Sequence, residues 1–153
     1  MKQILKRILV FVLFAFVAIQ LYQPALNVDK GKAVTKDFTK FYKMPDEVKT
    51  VFRNSCYDCH SNNTDYAWYD YIQPARILVE KHIKDAKDDL NFSEWETYSN
   101  RKQERLLNSI KEQIVNRQMP LSSYTLMHRK AKLSDDEIKT ITNWLKEQSK
   151  VYE

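Results

Sequence analysis

The residues best placed to do chemistry are the chain's only two cysteines, Cys56 and Cys59, with His60 directly after the second in the run Asn54-Ser55-Cys56-Tyr57-Asp58-Cys59-His60. Thiols at this spacing lie about one helical turn apart, so each can add to one of two vinyl groups on a planar macrocycle, and the adjacent imidazole then falls beneath the metal at its centre. This is the pattern of covalent haem c attachment, with Cys56 and Cys59 forming the thioethers and His60 as the proximal iron ligand of one haem. Other uses of these residue types fit less well. A structural zinc site needs four ligands, usually from two separated pairs, and only His82 and His128 remain to complete it. A thiol–disulfide exchange motif normally opens a helix after a strand. A plain disulfide across so short a loop stabilises very little through chain entropy.

A haem iron held by His60 has a second axial position. A thioether there raises the reduction potential and suits electron transfer. Met119, just before Pro120, stands 59 positions after His60, enough chain for two helices to wrap the group before the loop returns, and it is the expected distal ligand. Met127 and His128 in the same loop, His82 further upstream, and an open position are the alternatives. Arg53 and Arg76 are candidates to pair with the haem carboxylates. No second catalytic cluster accompanies these residues, so the expected role is one-electron transfer to a redox partner protein rather than turnover of a substrate. The alternative is a haem-based ligand or redox sensor in which a weak sixth ligand from the crowded loop is displaced.

The elements that must position these groups are helices. Glycine occurs once in 153 residues, at Gly31, which leaves few positions free to take positive φ and argues against phosphate-cradling loops and tight hairpins. Apolar residues instead recur at three- and four-residue spacings. Pro45, Asp46 and Glu47 open a short helix through Val48, Val51 and Phe52 that delivers Cys56. The aromatic cluster Tyr66, Trp68, Tyr69 and Tyr71 precedes a helix from about Pro74 to Leu90, with Ile77, Leu78, Ile83 and Ala86 inward. Ser93-Glu94-Trp95-Glu96 and Ser134-Asp135-Asp136-Glu137 both match a capping box. Leu106, Leu107, Ile110, Ile114 and Val115 mark one further inward face, and Ile138, Ile141, Trp144 and Leu145 another. The fold class expected is all-α, a cytochrome c-like helical domain around one covalent haem.

The first thirty residues differ in kind. Lys2, Lys6 and Arg7 precede an apolar run from Ile8 to Leu21 broken only by Gln20, and no charge returns until Asp29. This has the form of an export signal, and Phe16 or Gln23 at the minus-three position of the two candidate cleavage sites favours an uncleaved anchor. The expected organisation is a transmembrane signal anchor over 1–28, a linker over 29–43 and the haem-binding domain over 44–153. Cations ahead of the apolar run then place the chain as a single-pass protein of the bacterial inner membrane with its domain in the periplasm, its redox partner in the same membrane or in the periplasm. Setting those three cations aside leaves 22 basic against 20 acidic residues, too even a balance for nucleic acid to be a partner.

Taken together, the chain resembles the bacterial haem-binding domain family, small membrane-anchored proteins related to c-type cytochromes. The resemblance runs from about Val48 to Trp144. It is carried by Cys56-Tyr57-Asp58-Cys59-His60, by Tyr66-Ala67-Trp68-Tyr69 with Pro74, by Leu90-Asn91-Phe92-Ser93-Glu94-Trp95, and by Met119-Pro120 with Tyr124-Thr125-Leu126 and His128 ahead of Leu133-Ser134. It implies covalent haem, a helical cytochrome-like fold and a periplasmic setting, and no defined substrate or partner. Cys56, Cys59 and His60 match the family's attachment motif and Met119 its Met-Pro position. Ala67 departs from the pattern, standing where proline is expected beside the tryptophan.

Overall fold

The computed structural model describes residues 1–29 and 36–152, and Gly31 with the middle of the expected linker lies outside them. Among the described residues every regular element is helical. In chain order these are α1 (Lys2–Ile19), α2 (Phe38–Phe41), α3 (Asp46–Ser55), α4 (Tyr57–His60), α5 (Ala75–Asp89), α6 (Asn100–Val115), α7 (Ser122–Met127) and α8 (Asp135–Ser149), with short 3₁₀ turns between and after them.

The longer helices begin where the caps place them. Pro45 precedes the first turn of α3, whose Asp46 and Glu47 complement the exposed N–H groups there. Ser134 closes a reciprocal box on α8: its Oγ accepts from the Glu137 N–H at 3.3 Å and Glu137 Oε2 accepts from the Ser134 N–H at 2.8 Å. The upstream box match behaves differently, because Asn91 rather than Ser93 caps the 3₁₀ turn Phe92–Thr97, its side chain accepting from the Ser93 N–H. Leu106, Leu107, Ile110 and Ile114 of α6 are buried against Ile141, Trp144 and Leu145 of α8. Leu78 and Val115, read as inward, are 56% and 55% exposed.

Phe38 is fully buried at the centre of the core, its ring within 6 Å of Tyr42, Phe52, Phe92, Trp95 and Trp144. The segment read as linker therefore supplies the hub of the aromatic core, held by an Asp37 side chain that caps α2. Beside it runs a buried polar chain in which Trp95 donates to the Tyr42 hydroxyl, Gln103 Nε2 donates to the Trp95 carbonyl at 2.9 Å, and Tyr152 donates to Gln103 Oε1 at 2.7 Å.

The N-terminal expectation is corrected. Helix α1 has 18 residues, about 27 Å of rise, and carries Lys2, Lys6 and Arg7 in its first third. Its uncharged part, Ile8 to Ile19, spans only about 18 Å against a hydrocarbon core of about 30 Å. No helix among the described residues is long and apolar enough to cross a membrane. The transmembrane helix and the single-pass inner-membrane location therefore do not hold, and the periplasmic placement loses its basis. Beyond Ile19 the helix ends, and residues 20–28 run along the domain instead, with Gln20 Oε1 accepting from the Gln73 N–H at 2.9 Å and the Pro24 carbonyl accepting from Arg76 at 2.6 Å.

Candidate metal and cofactor site

Helix α3 delivers Cys56 as its C-cap, the Cys56 N–H bonding back to the Phe52 carbonyl. The chain kinks there and makes a single further turn, α4, in which the His60 N–H reaches the Cys56 carbonyl at 3.0 Å. Tyr57 pins this turn to the core: it stacks on Phe92 at 5.0 Å and 7°, carries the Arg53 guanidinium 4.1 Å over its ring, and donates to Asp37 at 3.0 Å.

Both thiols are free and half-buried. Burial pushes the Cys56 thiol up to about 12 and, with Asp58 and Asp70 adding to burial, the Cys59 thiol up to about 11. Exchange-type Cys-X-X-Cys pairs work through a depressed thiol pKa, so this environment is the opposite of theirs. His60 lies between the turn and the end of α5. Leu90 has left the helix, and its carbonyl lies 3.0 Å from His60 Nδ1. A carbonyl can only accept, so Nδ1 carries the proton and Nε2 keeps its lone pair. Burial lowers the His60 pKa and keeps the ring neutral. A part-buried imidazole that donates through Nδ1 to a backbone carbonyl is oriented as a metal-ligating histidine is, with the Ala86 carbonyl also within hydrogen-bonding reach of the ring.

Three adjoining clefts of about 350, 180 and 520 Å³ meet at this turn. The smallest is their waist, lined by Cys56, Cys59, His60, His82, Met119, Pro120 and Tyr124 among others. Met119 also lines the 520 Å³ cleft with Cys56 and His60, between α6 and the end of α5. Met127 and His128 line the 350 Å³ cleft with Cys59, away from His60. His82 is exposed at the mouth shared by that cleft and the waist. Met119 and His82 are thus brought into the cleft of His60, and Met127 and His128 are not.

Met119 reaches its place through the end of α6. Gln118 and Met119 N–H groups both bond to the Gln113 carbonyl, at 2.9 and 3.2 Å, and Arg117 takes a positive φ of 53° to make that reversal. The rest of the loop is tied to the cysteine turn by Tyr124, whose hydroxyl donates to Asp58 Oδ2 at 2.6 Å while His128 stacks on its ring at 4.2 Å. His128 in turn lies 3.2 Å from the Tyr69 hydroxyl. The two arginines read as carboxylate partners are engaged elsewhere. Arg53 pairs with Asp37, and Arg76, almost wholly buried, pairs with Glu80 and lies over Tyr66. Lys102 and Arg105, which sequence reasoning missed, line the 520 Å³ cleft together with Asp88 and Asp89, Lys102 lying 3.8 Å over the Tyr98 ring; their three-residue spacing on α6 was the available signal.

Among the described residues no three His, Cys, Asp or Glu side chains converge as a metal site, which is what a closed zinc centre would require. A macrocycle brings its own four nitrogens and asks the protein for only one or two axial donors, apolar walls and, for covalent attachment, two thiols. The residues at the junction fit that demand.

Comparison with known proteins bears on the same question. The family model described as "Haem-binding domain" matches residues 14–147, most of the chain, beginning within α1 and ending within α8. No curated protein and no solved structure matches.

Proposed function

The chain belongs to the haem-binding domain family, and from that premise we propose that it is a monohaem c-type cytochrome that passes single electrons to a redox partner protein. The observation that carries this reading is the His60 Nδ1–Leu90 carbonyl contact at 3.0 Å, which leaves Nε2 as the nitrogen to ligate iron, on the same turn as Cys59 and one turn after Cys56. Each thiol would add across one vinyl group, the sulfur bonding to one vinyl carbon and the proton going to the other, with no net change of electrons. Haem held there supplies a one-electron Fe(III)/Fe(II) couple. His60 serves as the proximal donor and Met119 as the distal one. Leu90 orients the imidazole, and the Asp58–Tyr124 hydrogen bond holds the distal loop against the attachment turn. Lys102 and Arg105, which line the 520 Å³ cleft, would be the cations available to the haem carboxylates.

The test is a haem stain after denaturing electrophoresis of the matured chain, followed by its pyridine haemochrome spectrum. Retained stain in the native chain, and its loss when Cys56→Ala and Cys59→Ala are combined, is the expected result. Haem that is fully extracted by acid-acetone, leaving both thiols titratable, refutes covalent attachment. A sensor reading is favoured by one observation, the presence of both His82 and Met119 in the cleft of His60. Carbon monoxide leaving the reduced spectrum unchanged would remove it.

A further inference from the structure

We propose that Asn27, which lies outside the cysteine-histidine motif and ahead of the compact domain, is a positioning residue for the haem-attachment turn; the proposal rests on reading Cys56, Cys59 and His60 as the attachment residues. The turn has a weakness that invites such a support. Helix α4 is four residues long, one turn, and a single turn fixes more backbone than its hydrogen bonds repay. The chain leaves helical geometry at Ser61, with φ −137° and ψ 173°, so the last carbonyls of the turn have no partner within it.

One of those carbonyls, that of Asp58, accepts from Thr64, and the Ser61 carbonyl just past the turn accepts from Asn27 in the N-terminal strap, residues 20–28. Asn27 Nδ2 donates to the Ser61 carbonyl at 2.8 Å and to Thr64 Oγ1 at 2.9 Å. The Thr64 N–H donates to the Asn27 carbonyl at 2.9 Å, and Thr64 Oγ1 donates to the Asp58 carbonyl at 2.5 Å. Asp58 sits between the two cysteines and Ser61 directly follows His60, so the asparagine braces the motif at two points, its middle through Thr64 and its exit at the residue after the histidine. Ser61 and Thr64 are buried, at 2% and 8% exposure, and their polar groups depend on partners inside the protein. Asn27 is fixed in its turn. Its N–H donates to the Tyr66 hydroxyl at 2.7 Å, that hydroxyl donates to Glu80 at 2.6 Å, and Lys87 of α5 donates to Asn27 Oδ1 at 2.7 Å. All the polar groups of one residue are thus spent on joining the strap, the turn and α5.

The experiment uses the full chain. Asn27→Ala removes the amide. Asn27→Asp keeps an acceptor for Lys87 and removes the two donors, and Thr64→Val removes the relay to Asp58 with little change of shape. Gln103→Ala, a buried site bonded to Trp95 and Tyr152 that lines none of the three clefts, is the control for general destabilisation. Haem per polypeptide at limiting haem supply, reduction potential and thermal midpoint are measured for each. The Asn27 variants are expected to carry roughly tenfold less haem, the factor for two lost hydrogen bonds, with Thr64→Val in the same direction and a displaced potential in whatever haem-bearing fraction remains. Gln103→Ala is expected to lose thermal stability with haem content and potential unchanged. Asn27→Asp and Thr64→Val loading haem as the native chain does would overturn the proposal, as would Gln103→Ala losing as much haem as they do. A native chain that carries no thioether-linked haem refutes the attachment reading instead, so the two failures are distinguishable.

Discussion

Replacing Tyr124 by phenylalanine isolates the strut that joins the loop after α6 to the cysteine turn. The substitution keeps the ring, and so the stack on His128 at 4.2 Å and 19°, and deletes only the hydroxyl that donates to Asp58 Oδ2 at 2.6 Å. Burial and the neighbouring carboxylate push the Tyr124 phenol far above its ordinary pKa, so it remains a donor throughout the working pH range. A hydrogen bond to a charged acceptor contributes about 1.5–3 kcal/mol. Asp58 is partly exposed and can regain water, which places the loss near the lower figure, roughly a tenfold drop in the closed population of the loop. If the loop supplies the sixth ligand, added imidazole competes with loop closure, and its half-saturating concentration falls by the same factor of about ten. The assay is an imidazole titration of the ferric protein followed in the Soret region, with Met119→Ala giving the value for a loop that has no ligand to offer. A Tyr124→Phe midpoint within about twofold of the native one, on a chain of lowered thermal stability, would refute the reasoning: the strut would then hold the fold and not the ligand.

Phe38→Ala should cost about 3–5 kcal/mol in denaturant unfolding, as expected for a large ring at a core centre, and a loss under 1 kcal/mol would return residues 36–43 to the status of a linker. Arg117→Gly should raise stability by about 0.5–1 kcal/mol, since φ 53° costs a side-chain-bearing residue and suits glycine; the exposed Arg117–Asp135 pair is too solvated to offset this, and a destabilised variant would show otherwise. In haem-free protein, burial holds the His60 pKa below its ordinary value. The unfolded chain therefore takes up a proton that the native one refuses as pH falls below about 6.5, and stability is lost on that side only. Thermal melts between pH 7 and 5.5 should show the decline, and a His60→Asn chain with the same slope would assign it to other groups.

Much of the architecture was legible because it follows from local rules. The α8 start at Ser134, the α5 span and the inward faces of α6 and α8 all come from caps and from apolar spacing, and the cysteine-histidine motif is local by construction. The misreadings share a different cause. The stretch from Ile8 to Val28 was judged by its lack of charge, yet charge is a poor guide to where a helix stops. Gln20 and Asn27, within the stretch expected to be the anchor, spend their amides on Gln73, Ser61 and Thr64. Residues 36–43 show no period because α2 is a single turn, too short for one, although its Phe38 is the most connected ring of the core. Arg53 and Arg76 were judged by charge alone, and their carboxylate partners, Asp37 and Glu80, are supplied by the protein itself.

The cysteine turn shows why such supports escape a sequence reading. Four residues of helix cannot hold two thiols and an imidazole in register unaided. Each of the three contacts that brace them arrives from a different part of the chain: Asn27 from the N-terminal strap, the Leu90 carbonyl from the end of α5, and Tyr124 from the loop after α6. Two of the three braces act on a backbone carbonyl or are themselves one, so no residue type announces them. Their distance along the chain also means that the geometry required of His60 exists only once α5, α6 and the strap are in place. The motif is written in five adjacent residues, and the geometry it takes is a property of the whole domain.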